Sequence, residues 1–182
     1  MVPGTEQIAA LNSKRIDLAL SFGHTDSGID VSSTEPLFQD SEALVVKKID
    51  KKRYTTWEDL RGEVIAACGA VANAAQRSSI FKEVRVVPIC GEVPQAVRDP
   101  EIKAGLKGSF IDTLYYQQHG ALEPDVQLSM SYQPKLVVQR RIATRKGDPL
   151  LSTINTSLAK LKYDGTLNSI FVKYGIEGTL VK

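Results

Sequence analysis

The chain alternates short apolar runs with stretches of helical periodicity. Four apolar runs predict buried strands, because each is bounded by polar or turn residues: 16–22 (IDLALSF), 43–47 (ALVVK), 64–68 (VIAAC) and 84–90 (VRVVPIC). Apolar or alanine-rich positions at helical spacing predict helices over 6–13 and 70–79. This alternation of strand and helix is typical of an α/β fold with parallel strands.

The middle of the chain continues the alternation with weaker signals. Residues 94–106 predict a helix despite Pro100, and 108–112 (GSFID) predict a short strand. The stretch TLYYQQHG predicts a helix after that strand, and LVVQRRIAT predicts the last strand of the sheet.

The C-terminal stretch predicts two helices that cover a sheet. Asp148 can accept hydrogen bonds from the free N–H groups of a helix start, and Pro149 suits the first helical position. The apolar stripe of the first helix consists of Leu150, Ile154, Leu158 and Leu161. Thr166 is a suitable cap for the second helix.

Composition narrows the function classes. The chain has 182 residues, of which 24% are charged and 42% are hydrophobic. Its net charge is only +2, so the electrostatic field of the protein does not predict binding to nucleic acid. We find no membrane span and no signal peptide, so the protein is predicted to be cytoplasmic as written, or else the sequence is that of a mature or truncated chain. No cofactor motif or metal ligand pattern occurs, and Cys68 and Cys90 are predicted to be buried free thiols.

Five pieces in order resemble the type 2 periplasmic solute-binding proteins of the polar amino-acid class, family 3. They are ALNSKRIDLAL, STEPLFQDSEALVVKK, WEDLRGEVIAACGA, GSFIDTLYY and RRIATRKGDPLLSTINTSLAKLKYDGTLNSIFVKYG. The resemblance implies two α/β lobes joined by two hinge strands, with a small ligand held in the cleft between the lobes. It places lobe one at 1–46 and 140–182 and lobe two at 47–139, and it implies a permease of the ABC transporter type as a partner.

The chain departs from the family pattern at its start. Family members carry a strand, a helix and a strand before the helix predicted here at 6–13, so lobe one is expected to lack its opening strand–helix–strand. Such a sheet leaves backbone groups and apolar faces uncovered. We therefore expect a homodimer in which the partners cover each other's exposed sheet.

The resemblance also implies where a ligand would be held. The family's ligand-binding arginine has no counterpart in the segment that contains Ser21, His24 and Thr25, although Thr25 keeps a hydroxyl. At the start of the helix over 70–79 the family's hydroxyl is replaced by Gly69 and Ala70, whose N–H groups can still attract an anion.

Two residues of the next segment complete the expected site. Asp112 matches the family's acid, which accepts from an amino group, but it is equally suited to be a helix N-cap. Tyr115 can stack on a ligand. His24 is also a candidate base at a strand end, although an ordinary loop histidine is the simpler interpretation.

These observations favour a non-enzymatic solute-binding protein whose amino-acid specificity is altered or lost. Without the arginine, amines or other small cations are expected to bind better than common amino acids. Two alternatives remain open. One is an enzyme similar to cyclohexadienyl dehydratases of the same fold, and the other is a remnant domain without ligand.

Overall fold

The computed structural model describes residues 6–23 and 30–181, and the chain divides into two compact units. The first unit combines Met1–Gln39 with Val138–Lys182, and the second is Asp40–Val137. The first boundary lies before ALVVK, whereas the sequence analysis places it between residues 46 and 47, near the end of that strand. The reason is that ALVVK is hydrogen-bonded on both sides to strands of the second unit.

The second unit is built on a five-stranded mixed sheet with the order β6-β5-β7-β4-β8. The three strands β6, β5 and β7 are parallel, whereas β4 is antiparallel to both β7 and β8. The strand bounds are β4 Ala43–Lys47, β5 Val64–Ala67, β6 Glu83–Val86, β7 Ile102–Lys107 and β8 Val126–Leu128. The predicted parallel arrangement is therefore correct for the three strands at one side of this sheet.

Helices α2 Gly69–Ser78, α3 Val93–Ala96 and α4 Phe110–Gln118 belong to the second unit. The two faces of the sheet carry separate apolar clusters, one containing Leu44, Ile65 and Leu106, and the other containing Val45 and Val93. Trp57 is buried in the first cluster.

Gly105 allows α3 to lie directly on the sheet. A Cβ atom at this position would stand 2.4 Å from Val93 Cγ1 and 2.8 Å from Val97 Cγ2. Both distances are shorter than van der Waals contact, so the close approach of α3 requires a residue without a side chain.

A buried carboxylate joins the two ends of the second unit. Glu42 precedes β4 and is only 2% exposed. It accepts hydrogen bonds from the Tyr132 hydroxyl at 2.8 Å and from the N–H groups of Lys135 and Leu136, both at 2.6 Å. The Tyr132 hydroxyl in turn accepts from Trp57 Nε1 at 2.6 Å. Burial and the adjacent Glu42 carboxylate raise the pKa of Tyr132, which therefore remains a hydroxyl donor.

The first unit contains a four-stranded sheet in which β9 is the central strand. Its strands are β1 Leu18–Phe22, β2 Val31–Ser33, β3 Phe38–Ser41 and β9 Val137–Arg145. β9 runs antiparallel to both β1 and β2. The expectation of parallel strands is therefore wrong for these two pairs, because β9 returns from the second unit in the opposite direction.

Three helices complete the first unit: α1 Gln7–Asn12, α5 Leu150–Tyr163 and α6 Thr166–Lys173. Asp148 Oδ1 accepts from Leu150 N at 3.0 Å, as predicted, but Pro149 is the N-cap and Leu150 is the first helical residue. At the start of α6 the side chain of Asp164, rather than that of Thr166, accepts a backbone N–H. No residue of α5 is fully buried, so the apolar stripe of this helix is only partly covered.

Two predictions in the middle of the chain are wrong. Residues 94–106 do not form one helix, because α3 ends at Ala96 and β7 begins at Ile102. Residues 108–112 are not a strand, because β7 ends at Lys107 and α4 begins at Phe110.

Candidate functional site

The carboxyl ends of β5 and β7 each lead directly into a helix of the second unit. The two strands are parallel neighbours, with Ala67 opposite Leu106. α2 begins at Gly69 and α4 at Phe110, so both helix starts belong to the same edge of the sheet. A Cβ atom at Gly108 would lie 3.8 Å from Val71 Cγ2, which places the turn after β7 beside the first turn of α2. Ligands of open α/β sheets bind at such an edge.

The start of α2 has open hydrogen-bond donors. Cys68 is its N-cap and provides no side-chain cap, and Gly69 has the positive φ of +57° that favours glycine. Among the described residues, the N–H groups of Gly69, Ala70 and Val71 have no hydrogen-bond partner. Gly69 and Ala70 are exposed. This helix start therefore offers adjacent N–H donors and a favourable helix dipole to an anion.

A disulfide bond fixes the residue before this helix start. Cys68 is bonded to Cys90, with the two Cα atoms 5.2 Å apart. The prediction of free thiols is therefore wrong, because the chain returns through β6 and brings Cys90 back beside the end of β5. The bond connects the N-cap of α2 to the turn that follows β6, and it limits how far the helix start can move.

The start of α4 differs from that of α2 because its donors are satisfied. Ser109 is the N-cap and accepts from Asp112 N at 3.1 Å. Asp40 Oδ1 accepts from Phe110 N at 3.1 Å and from Ile111 N at 3.3 Å. The interpretation of Asp112 as an N-cap is therefore wrong, since Ser109 has that position. Asp112 lies instead in the first helical turn, where its exposed carboxylate is favoured by the helix dipole.

Lys107, the last residue of β7, is a largely buried lysine that the sequence analysis did not select. It is 5% exposed, and its Nζ lies 5.1 Å from the centre of the Tyr116 ring. Burial lowers the pKa of Lys107, while the charge of Asp112 acts in the opposite direction. The signal was absent from the sequence because a lysine at a strand end is normally exposed.

The two adjacent tyrosines of α4 are both accessible. Tyr115 is 49% exposed and Tyr116 is 45% exposed, so neither is a core residue. The Tyr115 ring stacks on His119 with the ring centres 4.0 Å apart. Tyr115 thus retains an accessible aromatic surface near Asp112, one turn away on the same helix.

The predicted site residues of the first unit are described only in part. The backbone of Ser21 lies in β1, and His24 and Thr25 lie outside the described residues. Within 6–23 and 30–181, no group of three or more His, Cys, Asp or Glu residues could hold a metal ion. Over the same residues, we find no helix of the length and apolarity that crossing a membrane requires.

A comparison with known protein families shows to which family the chain belongs. The sequence profile of the bacterial extracellular solute-binding proteins, family 3, matches residues 1–177. The chain belongs to this family. The resemblance inferred from the five sequence pieces is thereby confirmed. No curated protein sequence matches the chain.

Comparison with solved structures identifies the fold of this family 3 protein. The GluR0 ligand-binding core in complex with L-glutamate has a TM-score of 0.74 at 14% identity, covering 93% of this chain and 77% of that one. An ABC uptake transporter substrate-binding protein from Streptococcus pneumoniae with bound histidine has a TM-score of 0.73 at 22% identity, covering 100% and 76%. An ancestral cationic amino-acid solute-binding protein has a TM-score of 0.72 at 24% identity, covering 95% and 75%. The fold is that of the type 2 periplasmic binding proteins, as predicted.

Four of the predicted site residues of this family 3 protein belong to the two helices that begin at one sheet edge. Gly69 and Ala70 form the start of α2, and Asp112 and Tyr115 lie on α4, which follows the adjacent strand. Their roles in ligand binding stay predictions. The arrangement combines open N–H donors, one exposed carboxylate and an aromatic surface, which are the groups that a small zwitterion requires.

Proposed function

We propose that the protein is a non-enzymatic binding protein for a small carboxylate-bearing solute of the amino-acid class. The observation that supports this proposal is the start of α2, where the N–H groups of Gly69, Ala70 and Val71 have no partner in the described part of the chain and lie at the carboxyl edge of the parallel strands. A carboxylate bound there would receive several charge-assisted hydrogen bonds without any side-chain cation. The proposed binding site thus needs no arginine to hold an anion.

The charges of this edge argue against a simple amine as the ligand. Asp112 would favour an ammonium group, but the buried Lys107 interacts electrostatically with the same carboxylate. A monocation without a carboxylate would meet both the positive end of the α2 dipole and the Lys107 charge. An amino acid offers both charges, so Asp112 could bind its amino group while the helix start binds its carboxylate.

Matched ligand pairs test this proposal. We expect thermal stabilisation of the protein by one or more L-amino acids and none by the amines that lack only the carboxylate, such as cadaverine paired with L-lysine. Stabilisation by the amine alone would contradict the carboxylate site. An aromatic product from prephenate or arogenate would contradict the non-enzymatic role.

A substitution in α2 tests the open donors directly. Ala70→Pro removes one N–H at a position where proline fits the helix, and Ala70→Val is the matched control that keeps this N–H and adds no polar group. Loss of one charge-assisted bond of about 1.5–3 kcal/mol should weaken binding about ten- to hundredfold. Equal affinity of the two variants, measured by calorimetry, would refute a role for this helix start.

We also infer that the protein functions outside the cytoplasm. The Cys68–Cys90 disulfide supports this location, because such bonds persist in oxidising compartments and are rare in the cytosol. The family to which the chain belongs is extracellular. An ABC transporter permease is the corresponding partner. Alkylation of the two cysteines in protein freshly isolated from its native cells tests the location, since labelling of both without reductant would contradict it.

We further propose self-association through the first unit. Among the strands that the structure describes, β1 pairs only with β9 and is an edge strand of the first unit's sheet, and Leu18 and Leu20 are 37% and 61% exposed. A second copy that covers this strand would bury apolar area and satisfy backbone groups. Sedimentation at micromolar concentration is the test, and a single species near the chain mass of 19.9 kDa would refute the dimer.

A further inference from the structure

A short basic loop follows β4 and carries an isoleucine that is almost completely exposed. The basic loop, residues 47–53 (KKIDKKR), contains five cationic residues and one acidic residue, which leaves a net charge of +4, whereas the whole chain has only +2. Within it, Ile49 is 90% exposed. A single exposed isoleucine is common on protein surfaces, so the charges around it decide which kind of surface it can contact.

The basic loop has a defined structure that holds Ile49 outward. Lys48–Asp50 forms a short 3₁₀ helix, and its first N–H group donates to Asp125 O at 2.9 Å. Arg53 N donates to Asp50 O at 2.9 Å, and the following residue, Tyr54, is buried in the core of the second unit. Because the loop is anchored at both ends, the exposure of Ile49 is set by the fold.

Most of the positive charge of the basic loop is not neutralised. Arg53 lies 3.5 Å from the Asp50 carboxylate, so these two charges offset each other. Within residues 6–23 and 30–181, no hydrogen bond or ion pair is made by the side chains of three exposed lysines, Lys48, Lys51 and Lys52. The loop therefore presents three available cations on either side of one apolar side chain.

The basic loop lies at the sheet edge opposite to the candidate site. Ala43 at the start of β4 pairs with Lys107 at the end of β7, so the end of β4, where the loop begins, is on the side of the sheet where β7 starts. The start of α2 follows the carboxyl end of β5, which is parallel to β7. A surface that contacts the basic loop therefore leaves the start of α2 uncovered.

We propose that the basic loop docks the protein on the surface of an anionic phospholipid bilayer. The three lysines contact lipid phosphates, and Ile49 enters the boundary between headgroups and acyl chains, a region that accepts cationic and apolar groups side by side. Nucleic acid offers phosphates to the lysines, but its backbone has no apolar layer for Ile49. So few cations and one apolar side chain support reversible association. The inference does not depend on the proposed solute site.

Co-sedimentation of the whole protein with vesicles tests the charges. We expect binding to vesicles of equal parts phosphatidylglycerol and phosphatidylcholine, and about tenfold weaker binding or less to phosphatidylcholine alone. Binding should be lost when salt rises from about 0.1 M to about 1 M, because the screening length falls from about 10 Å to about 3 Å. Joint Lys51→Glu and Lys52→Glu substitution should weaken binding at least about tenfold. Joint Lys160→Glu and Lys173→Glu substitution is the control, since it changes the net charge equally at exposed helical positions and should leave binding unchanged.

Substitutions of Ile49 distinguish a bilayer from other anionic partners. Ile49→Ser should weaken vesicle binding about tenfold but leave binding to heparin, a polyanion without an apolar phase, unchanged. Ile89→Ser is the control, because Ile89 is 61% exposed outside the basic loop. The fluorescence of Ile49→Trp should shift to the blue with the anionic vesicles and not with heparin, while Trp57, which is 4% exposed, gives a constant background.

Three results would overturn the proposal. They are no binding to the anionic vesicles, vesicle binding by Ile49→Ser equal to that of the wild type, and no blue shift of Ile49→Trp with these vesicles. Tighter binding to heparin than to the vesicles, unchanged in Ile49→Ser, would indicate a polyanionic macromolecule as the partner and would also overturn it.

Discussion

The buried Glu42 carboxylate is expected to be one of the main stabilising groups of the second unit. Its two oxygens accept from Tyr132, Lys135 and Leu136, and two of these donors are backbone N–H groups. Glu42→Gln retains the size of the side chain but replaces one acceptor oxygen with an NH₂ donor. At least one buried donor then loses its acceptor, and the remaining hydrogen bonds become neutral.

The magnitude follows from these contacts. A hydrogen bond to a charged group contributes about 1.5–3 kcal/mol and a neutral one about 0.5–1.5 kcal/mol, and a buried donor without an acceptor costs about 1–3 kcal/mol. We therefore expect Glu42→Gln to lower the free energy of unfolding by about 2–4 kcal/mol. Tyr132→Phe should cost less, about 1–2 kcal/mol, because it removes one donor to Glu42 and leaves Trp57 Nε1 without its acceptor.

Guanidinium unfolding followed by tryptophan fluorescence is a suitable assay, because Trp57 is the only tryptophan and is 4% exposed. Glu58→Gln is the control, since Glu58 is an exposed partner of Arg61 and should change the free energy by less than about 1 kcal/mol. A double-mutant cycle between Glu42 and Tyr132 should give a coupling of about 1 kcal/mol or more. A Glu42→Gln variant within about 0.5 kcal/mol of the wild type would refute the reasoning.

Three further outcomes are expected. Replacing both Cys68 and Cys90 with serine should lower the free energy of unfolding by about 3 kcal/mol, because the disulfide closes a loop with a sequence separation of 22 residues. Reduction of the wild-type protein should give the same loss, and an unchanged unfolding midpoint after reduction would contradict the disulfide. Lys107→Met should raise the free energy of unfolding at pH 7, because the lowered folded-state pKa of Lys107 means that its charged form opposes folding. This stabilisation should disappear as the pH rises towards 10.5, the ordinary pKa of lysine, and a stabilisation that does not depend on pH would contradict the reasoning. Hydrogen bonds from Thr55 and Thr56 lower the pKa of Asp59 below 3.8, so the stability that the Asp59 carboxylate contributes is present above that pH and is lost as the pH falls through the folded-state pKa. Asp59→Asn should therefore make the free energy of unfolding depend less on pH at the acid end. Urea unfolding from pH 2 to 6 measures this dependence.

Elements with strong local signals could be predicted from the sequence. The strand over Ala43–Lys47 is a continuous apolar run, and α5 begins at a helix start where Asp148 accepts an N–H. The turn after β7 could not be predicted, because Ser109 and the distant Asp40 together terminate the strand and cap α4. β7 could not be recognised by an alternation of apolar and polar residues, because Ala104 and Gly105 in its middle are small and favour neither a strand nor a helix.

The candidate site was predictable to the extent that it depends on local sequence. A helix start after a buried strand indicated Gly69 and Ala70, whose N–H groups are open. Lys107 could not be found in the same way, because its burial results from α4 folding over the end of β7. The disulfide likewise depends on a tertiary return of the chain, since 22 residues separate Cys68 from Cys90.

The close approach of α3 to the sheet at Gly105 constrains how this protein can evolve. A methyl group at position 105 would overlap Val93 Cγ1 and Val97 Cγ2, so Gly105→Ala alone should be poorly tolerated in a mutational scan. A smaller residue at position 93 removes the nearer of these overlaps. Gly105→Ala should therefore be less damaging in a Val93→Ala background than in the wild type, so the two positions should be epistatic and substitutions there should accumulate in pairs.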